Sequence, residues 1–367
     1  MNRIYADYNA TTPLAPAVLE AVLPYLQGKF GNASSAHFFG RDARAAIDDA
    51  RVRVARQLGA QESEIVFTGG GTESDNTVIF GVRPGHIITS AIEHHAILHA
   101  GRHRADCEVT YLPVDRECRV DPADLQRALR AETVLVSIMS ANNETGTLQP
   151  IPELAAICRE RGVPFHTDAI QSYGKQPVNV NDWGVDLLSL SAHKFYGPKG
   201  AGLLYIRRGV KLDQLLYGGS HENERRAGTE NVAGIVGLAR AMELPRVGLF
   251  DLTERLASGI AARITGASRN GHAKLRVGNT VNFSFVGCET SGLLLGLDLE
   301  GVAVSSGSAC AVGSLEPSHV LTAMGLSCEL ARAAVRFSFG KNSSAGDVET
   351  ILAALERVVP RLRQFAR

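Results

Sequence analysis

The stretch Ser189-Leu190-Ser191-Ala192-His193-Lys194-Phe195-Tyr196-Gly197-Pro198-Lys199-Gly200 sets one lysine between an apolar run and a glycine turn. Residues 185–190 have the short apolar character of a buried strand, so Lys194 stands just past a strand end, at the lip of a core. Desolvation there disfavours the ammonium form, and a neutral amine is a nucleophile toward a carbonyl carbon. By itself such a segment more often holds an ordinary solvated loop lysine.

Upstream, Val163-Pro164-Phe165-His166-Thr167-Asp168-Ala169-Ile170-Gln171-Ser172 predicts a short strand ending at Asp168, with Gln171 in the loop that follows. Asp168 precedes Lys194 by 194 − 168 = 26 residues, about the length of a strand, a crossover and a second strand in an α/β sheet. Two parallel strands would then deliver a carboxylate and a lysine to one sheet edge. Asp168 alone reads equally as a helix cap or turn former. A third segment, Gly69-Gly70-Gly71-Thr72-Glu73-Ser74-Asp75-Asn76, follows the strand-like Glu64 to Thr68 and opens a helix-like run. Glycine backbone admits a phosphate closely, free amides attract it, and Thr72 adds a hydroxyl. The spacing matches neither the nucleoside-triphosphate loop nor the dinucleotide fingerprint.

With these segments the chain resembles the class V aminotransferase family of pyridoxal-phosphate enzymes, and within it the cysteine desulfurases of the NifS and IscS kind. The resemblance begins at Tyr5-Ala6-Asp7-Tyr8-Asn9-Ala10-Thr11-Thr12-Pro13 and runs on through Phe30-Gly31-Asn32-Ala33-Ser34-Ser35-Ala36-His37 and Glu93-His94-His95-Ala96. Its later marks are Asn142-Asn143-Glu144-Thr145-Gly146, Arg225-Arg226-Ala227-Gly228-Thr229-Glu230-Asn231, Ser305-Ser306-Gly307-Ser308-Ala309-Cys310 and Val335-Arg336-Phe337-Ser338. The fold implied is a fold-type I transferase: α/β, a mostly parallel sheet flanked by helices, with a second, smaller α+β domain. The large cofactor-binding domain would span residues 14–250. Residues 1–13 and 251–367 would form the small domain that carries the cysteine loop.

The resemblance also implies roles. Lys194 would carry the cofactor, Asp168 would pair with its pyridine nitrogen, Gln171 would contact the ring oxygen and His94 would stack on the ring and move protons. Gly71, Thr72, Ser191 and His193 would bind its phosphate, with Thr229 reaching across from the second subunit of a homodimer. Asn143 and Arg336 would hold the substrate carboxylate, a task for which a planar guanidinium is suited. Cys310 would attack the sulfur of L-cysteine and keep it as a persulfide, releasing L-alanine, for passage to a sulfur-acceptor protein such as an iron-sulfur scaffold. Selenocysteine as substrate, transamination by a relative of the same fold, and a non-catalytic scaffold are the competing readings. The Cys310 loop speaks against transamination, and the full set of site residues speaks against a scaffold.

The six cysteines, Cys107, Cys118, Cys158, Cys288, Cys310 and Cys328, show no Cys-x-x-Cys and no dense spacing, which suggests a reducing compartment. Cys107, Cys158 and Cys288 read as inert buried hydrophobes. Cys310 differs because its neighbours are small, polar or glycine, the composition of a loop that moves readily. His95, His99 and His103 stand at i, i+4 and i+8, a conceivable metal stripe without a carboxylate, so no metal site is expected. Arg207, Arg208 and Lys211 read as a solvated turn.

Lys plus Arg equals Asp plus Glu at 38 each over 367 residues, so no global field points to nucleic acid or to an anionic membrane. No apolar run is long enough to span a bilayer and no leader precedes Ile4-Tyr5-Ala6, which makes the cytoplasm the expected location. Strand-like runs at 65–68, 86–90, 108–112, 134–139, 164–167 and 186–190 alternate with helix-like stretches, the pattern of a parallel sheet covered on both faces. Residues 203–206 would add an antiparallel strand. Past residue 251 come a long amphipathic helix, strands at 280–285 and 333–339, and a closing helix.

Overall fold

A computed structural model describes residues 3–306 and 317–365. Its strands are β1 (Ile4–Tyr5), β2 (Ile65–Thr68), β3 (Gly85–Ser90), β4 (Cys107–Leu112), β5 (Thr133–Ser137) and β6 (Phe165–Asp168). Then come β7 (Leu187–Ser191), β8 (Gly202–Ile206), β9 (Ala267–Asn270), β10 (Thr280–Phe285), β11 (Val302–Ala303) and β12 (Ala334–Ser338). Seven of them form one sheet in the order β2-β8-β7-β6-β5-β3-β4. The pairs among β3 to β7 are parallel, and β8 runs antiparallel to both β2 and β7.

Strands β2, β5, β7 and β8 are buried along their whole length, as expected of a sheet covered on both sides. Alternation of side chains divides each strand between two cores. Ile65, Phe67, Leu188, Leu190, Leu203 and Tyr205 face the helix Phe38–Leu58 and its neighbours, while Val66, Leu187, Leu204 and Ile206 pack on the opposite face with Ile79 and Ile97. A one-residue slip in register would exchange the two sets.

A second, three-stranded antiparallel sheet has the order β12-β10-β9. It is covered by the helices Phe250–Arg263, Thr290–Leu299 and Ala345–Phe365, with Leu256, Phe283, Phe337 and Leu355 in its core. The amino terminus returns to this core. β1 pairs in parallel with β11, Ile4 and Ala6 lie in the apolar cluster, and Asp7 bridges to Ser338. Four residues after Tyr8 the same segment reaches the large sheet, where the Thr12 amide donates to the His193 carbonyl at 2.9 Å. Among the described residues no helix is long and apolar enough to cross a membrane.

Candidate active site

Because β3, β5, β6 and β7 are parallel, their carboxyl ends open on one edge of the sheet, where ligands of α/β folds bind. Asp168 pairs in register with Ser189, two residues before the end of β7. Ser191 ends β7, and the 3-10 turn Ala192–Lys194 follows at once. The sequence thus brings Asp168 and Lys194 together as expected. The Lys194 ammonium donates to the carbonyls of Asn9 (2.8 Å) and Ala10 (2.9 Å).

Asp168 is buried, and its Oδ1 accepts from the Ile170 amide at 2.8 Å. Burial pushes its carboxyl up to about 6, opposed by that amide and by the Lys194 ammonium. Asp75, on the helix Gly71–Gly81, is wholly buried beside Asp168. His166 Nε2 lies 3.8 Å from Asp75 Oδ1. Burial and the neighbouring Asp168 charge push Asp75 well above the carboxylate range, while burial pushes His166 down to about 3. The neutral His166 ring is held by Ser137 (2.8 Å) and Ser189 (3.0 Å). Asp75 therefore carries the proton, and Asp168 is left as the anion at the sheet edge.

At the end of β2 the chain turns through Gly69 and Gly70 into the helix Gly71–Gly81. A Cβ on Gly70 would lie 3.8 Å from Ser191 Oγ, so the helix amino terminus and the Ser191 hydroxyl share one space. Thr72 is exposed in the first turn of the helix. His193 is half-buried, with Nδ1 3.1 Å from Thr11 Oγ1, and burial and Lys194 push it down to about 4. Amides of a first helical turn, two hydroxyls and an imidazole suit a phosphate. With a carboxylate for a ring nitrogen and an amine for an aldehyde, the donor set fits pyridoxal phosphate. Thr229 is exposed and shares a groove with Thr68 and Gly69 of its own chain.

His94 caps the helix His95–His103, its Nδ1 accepting from the Ala96 amide at 3.1 Å. Burial and Lys194 push it down to about 4. The ring is therefore neutral near pH 7, with its proton on Nε2. On the stripe behind it, the rings of His95 and His99 lie 4.8 Å apart, but His103 turns its Nδ1 to the His99 carbonyl. The third ring against His95 is instead His319, at 4.9 Å. No group of three or more His, Cys, Asp or Glu among the described residues is arranged to hold a metal ion.

Arg336 is buried on β12, with Nη2 2.7 Å from Asp7 Oδ1 and Nη1 donating to the Asn143 carbonyl at 2.9 Å. The expected pair thus meets, through the main chain of Asn143. Cys310 lies outside the described residues. Burial pushes the Cys118 and Cys158 thiols up to about 12. Arg207 is less solvated than expected: it stacks over Tyr205 and donates to the carbonyls of Val180 and Val185.

Two residues at the centre were assigned no role from the sequence. Asn9 is buried; its Nδ2 donates to the Asn143 carbonyl (3.1 Å) and to Thr280 Oγ1 (2.8 Å). Its own carbonyl receives Lys194 and Gln171 Nε2 (3.1 Å), and its Oδ1 receives Lys175 at 2.8 Å. Lys175 also donates to Gln171 Oε1, and burial, then the Lys194 and Arg336 charges, push its amine well below the usual lysine range. Asn9 stood inside a recognised motif, whereas Lys175 carried no local signal.

Over residues 4–351 the chain matches the family described as Aminotransferase class-V. It is 51% identical over 378 residues to the cysteine desulfurase IscS of Dictyoglomus turgidum, covering 99% of this chain and 96% of that one. Against the cysteine desulfurase IscS of Methanosarcina thermophila the identity is 48%, with 99% and 93% covered. Among solved structures, a NifS-like protein superposes with a TM-score of 0.91 at 37% identity, covering 98% of this chain and all of that one. SspA in complex with cysteine gives 0.83 at 39%, with 92% and 98% covered.

Proposed function

The chain belongs to the aminotransferase class-V family, and from that membership we propose that it is a cysteine desulfurase that takes the sulfur of L-cysteine as a persulfide on Cys310 and releases L-alanine. The observation that carries this reading is the meeting of Lys194, Asp168 and Ser191 beside the Gly70 turn at one sheet edge. Pyridoxal phosphate, the family's cofactor, supplies when bound an electron sink for the pair left by the departing α-proton.

The chain's own groups do the rest. Lys194 would hold the cofactor and serve as the base for the substrate's α-proton. Asp168 would keep the ring nitrogen protonated, and Gln171 would contact the ring oxygen. Gly71, Thr72, Ser191 and His193 bind the phosphate, with Thr229 from a second copy. His94 would stack on the ring and offer its Nε2 proton. Asn143 and Arg336 take the substrate carboxylate, Arg336 being braced by Asp7. The Cys310 thiolate attacks the substrate sulfur. A sulfur–sulfur bond forms, the Cβ–sulfur bond breaks, and its electron pair takes up a proton to give the methyl of L-alanine.

Residues 14–250 serve as the cofactor domain, and residues 1–13 with 251–367 as the small domain. The homodimer is supported by aromatic residues left bare on one chain, Tyr217 at 78% and Phe30 at 70% exposure. The persulfide passes in the cytoplasm to an acceptor thiol, of an iron-sulfur scaffold or another sulfur-using protein. The test is to load wild type and Cys310→Ala with pyridoxal phosphate and to quantify alanine and sulfide from L-cysteine under a thiol reductant. Wild type is expected to yield both in step, and the variant to bind cofactor but turn over little. A loaded wild type that gives no alanine overturns the reading.

A further inference from the structure

The chain on either side of the Cys310 segment is fixed to the residues assigned to the substrate. On the near side Ser305 forms an antiparallel bridge with Arg336, the Arg336 amide donating to the Ser305 carbonyl at 2.7 Å. On the far side the Ser318 hydroxyl donates to Glu144 Oε2 at 2.6 Å, and His319 Nε2 lies 3.0 Å from the Glu93 carbonyl. Glu144 follows Asn143 and is 1% exposed; its amide and its carbonyl are held by Asn142 Oδ1 and Asn282 Nδ2. Glu93 precedes His94. The far anchor therefore grips the two segments that carry Asn143 and His94.

We infer that Ser318 and Glu144 are a positioning pair for sulfur transfer, which fixes the chain returning from Cys310 against the substrate-binding segment. The inference rests on the reading of Cys310 as the sulfur acceptor. Cys310 stands 310 − 305 = 5 residues after one anchor and 318 − 310 = 8 before the other, so its reach is limited to about 17 Å and about 28 Å from them. On tethers so short, a displaced anchor changes where the thiol can go. The Ser318 hydroxyl is used in both senses: it accepts from the Leu321 amide at 3.2 Å, capping the helix His319–Ala323, and donates its one proton to Glu144. Replacing it by alanine leaves the buried Glu144 carboxyl group without this partner, a larger cost than an exposed contact would carry.

The test uses the cofactor-loaded full chain in single-turnover reactions with L-cysteine, reading the persulfide on the Cys310 peptide by alkylation and mass spectrometry. Cofactor affinity and the half-saturating L-cysteine concentration are measured alongside. Ser318→Ala is expected to slow persulfide formation about tenfold, roughly the worth of one hydrogen bond, with both affinities changed less than about twofold. Ser318→Thr, which keeps the hydroxyl, is expected to restore the rate. Glu144→Gln is expected to fall between, and combining it with Ser318→Ala should add little, since the two share one contact. A Ser318→Ala chain that forms persulfide at the wild-type rate, or one that loses cofactor affinity in proportion, overturns this inference alone. A wild type that forms no persulfide overturns it together with the assignment of Cys310.

Discussion

Asp75 and Asp168 place two carboxyl groups in one buried space, where both cannot ionise. The Ile170 amide and the Lys194 charge lower Asp168, while burial and the Asp168 charge raise Asp75, so the proton rests on Asp75. A neutral isostere at position 75 should then change little, whereas the same change at position 168 removes the charge that the ring nitrogen needs. Asp75→Asn is expected to keep alanine formation within about threefold of wild type, and Asp168→Asn to lose about 100-fold, the upper range for a hydrogen bond to a charged group. Alanine release at saturating cofactor checks both. Equal losses would mean that Asp75 carries charge in the working enzyme. The places of Asp168, Lys194 and Gln171 were legible because each ends a strand or lies in the loop after one, whereas Ser191 was marked only through the family resemblance. Asp75 and Lys175 were not, since their meaning lies in partners fixed only by the fold, such as Lys175 with Asn9, 166 residues apart.

The elements that aim these residues depend on one close backbone approach. Gly202 opens β8 and pairs with Thr68 on one side and Ser191 on the other. A Cβ there would come within 2.6 Å of Gly70 Cα and 2.8 Å of the Leu190 carbonyl oxygen. These are backbone atoms at the turn where the phosphate would sit, so they cannot yield as a flexible side chain would. Gly202→Ala is expected to destabilise the chain by about 1–3 kcal/mol and to weaken cofactor binding about tenfold. Urea midpoints and a fluorescence titration with pyridoxal phosphate measure the two effects. Unchanged cofactor affinity would show that the turn tolerates the displacement. At this scale the long apolar strands were readable: β2 and β10 fall where the pattern put them, and other boundaries shift by a residue or two. β1 and β11 have two residues each, and β9 reads Ala-Ser-Arg-Asn, so none has a run from which a period could be seen.

Across the whole molecule, formal charge balances at 38 cationic and 38 anionic side chains, so general self-repulsion is a weak source of pH dependence near neutrality. Buried groups with displaced pKa values set it instead. Glu93 is wholly buried, its Oε1 receiving the Met139 amide at 2.9 Å, and burial pushes its carboxyl from 4.5 up to about 8, opposed by Ser90 and that amide. An acid whose folded pKa lies above its unfolded value binds its proton more tightly in the native state. Its contribution is complete below pH 4.5 and is lost as pH rises toward 8. The half-buried histidines act in the opposite sense: His94 and His193 are pushed down to about 4. Their contribution is present above their unfolded value near 6.5 and is lost as pH falls toward 4. Absolute stability therefore mixes both signs, and the Glu93 part is isolated by comparing two chains. Glu93→Gln removes the ionisation and keeps one acceptor for Met139. Relative to wild type, the cofactor-free variant should gain stability on going from pH 5 to pH 8, by a few kcal/mol at roughly 1.36 kcal/mol per pKa unit. Urea midpoints of both chains at the two pH values give the difference. Parallel curves would mean that Glu93 ionises natively at its ordinary pKa, and the segment leading into His94 would then have to hold a buried negative charge.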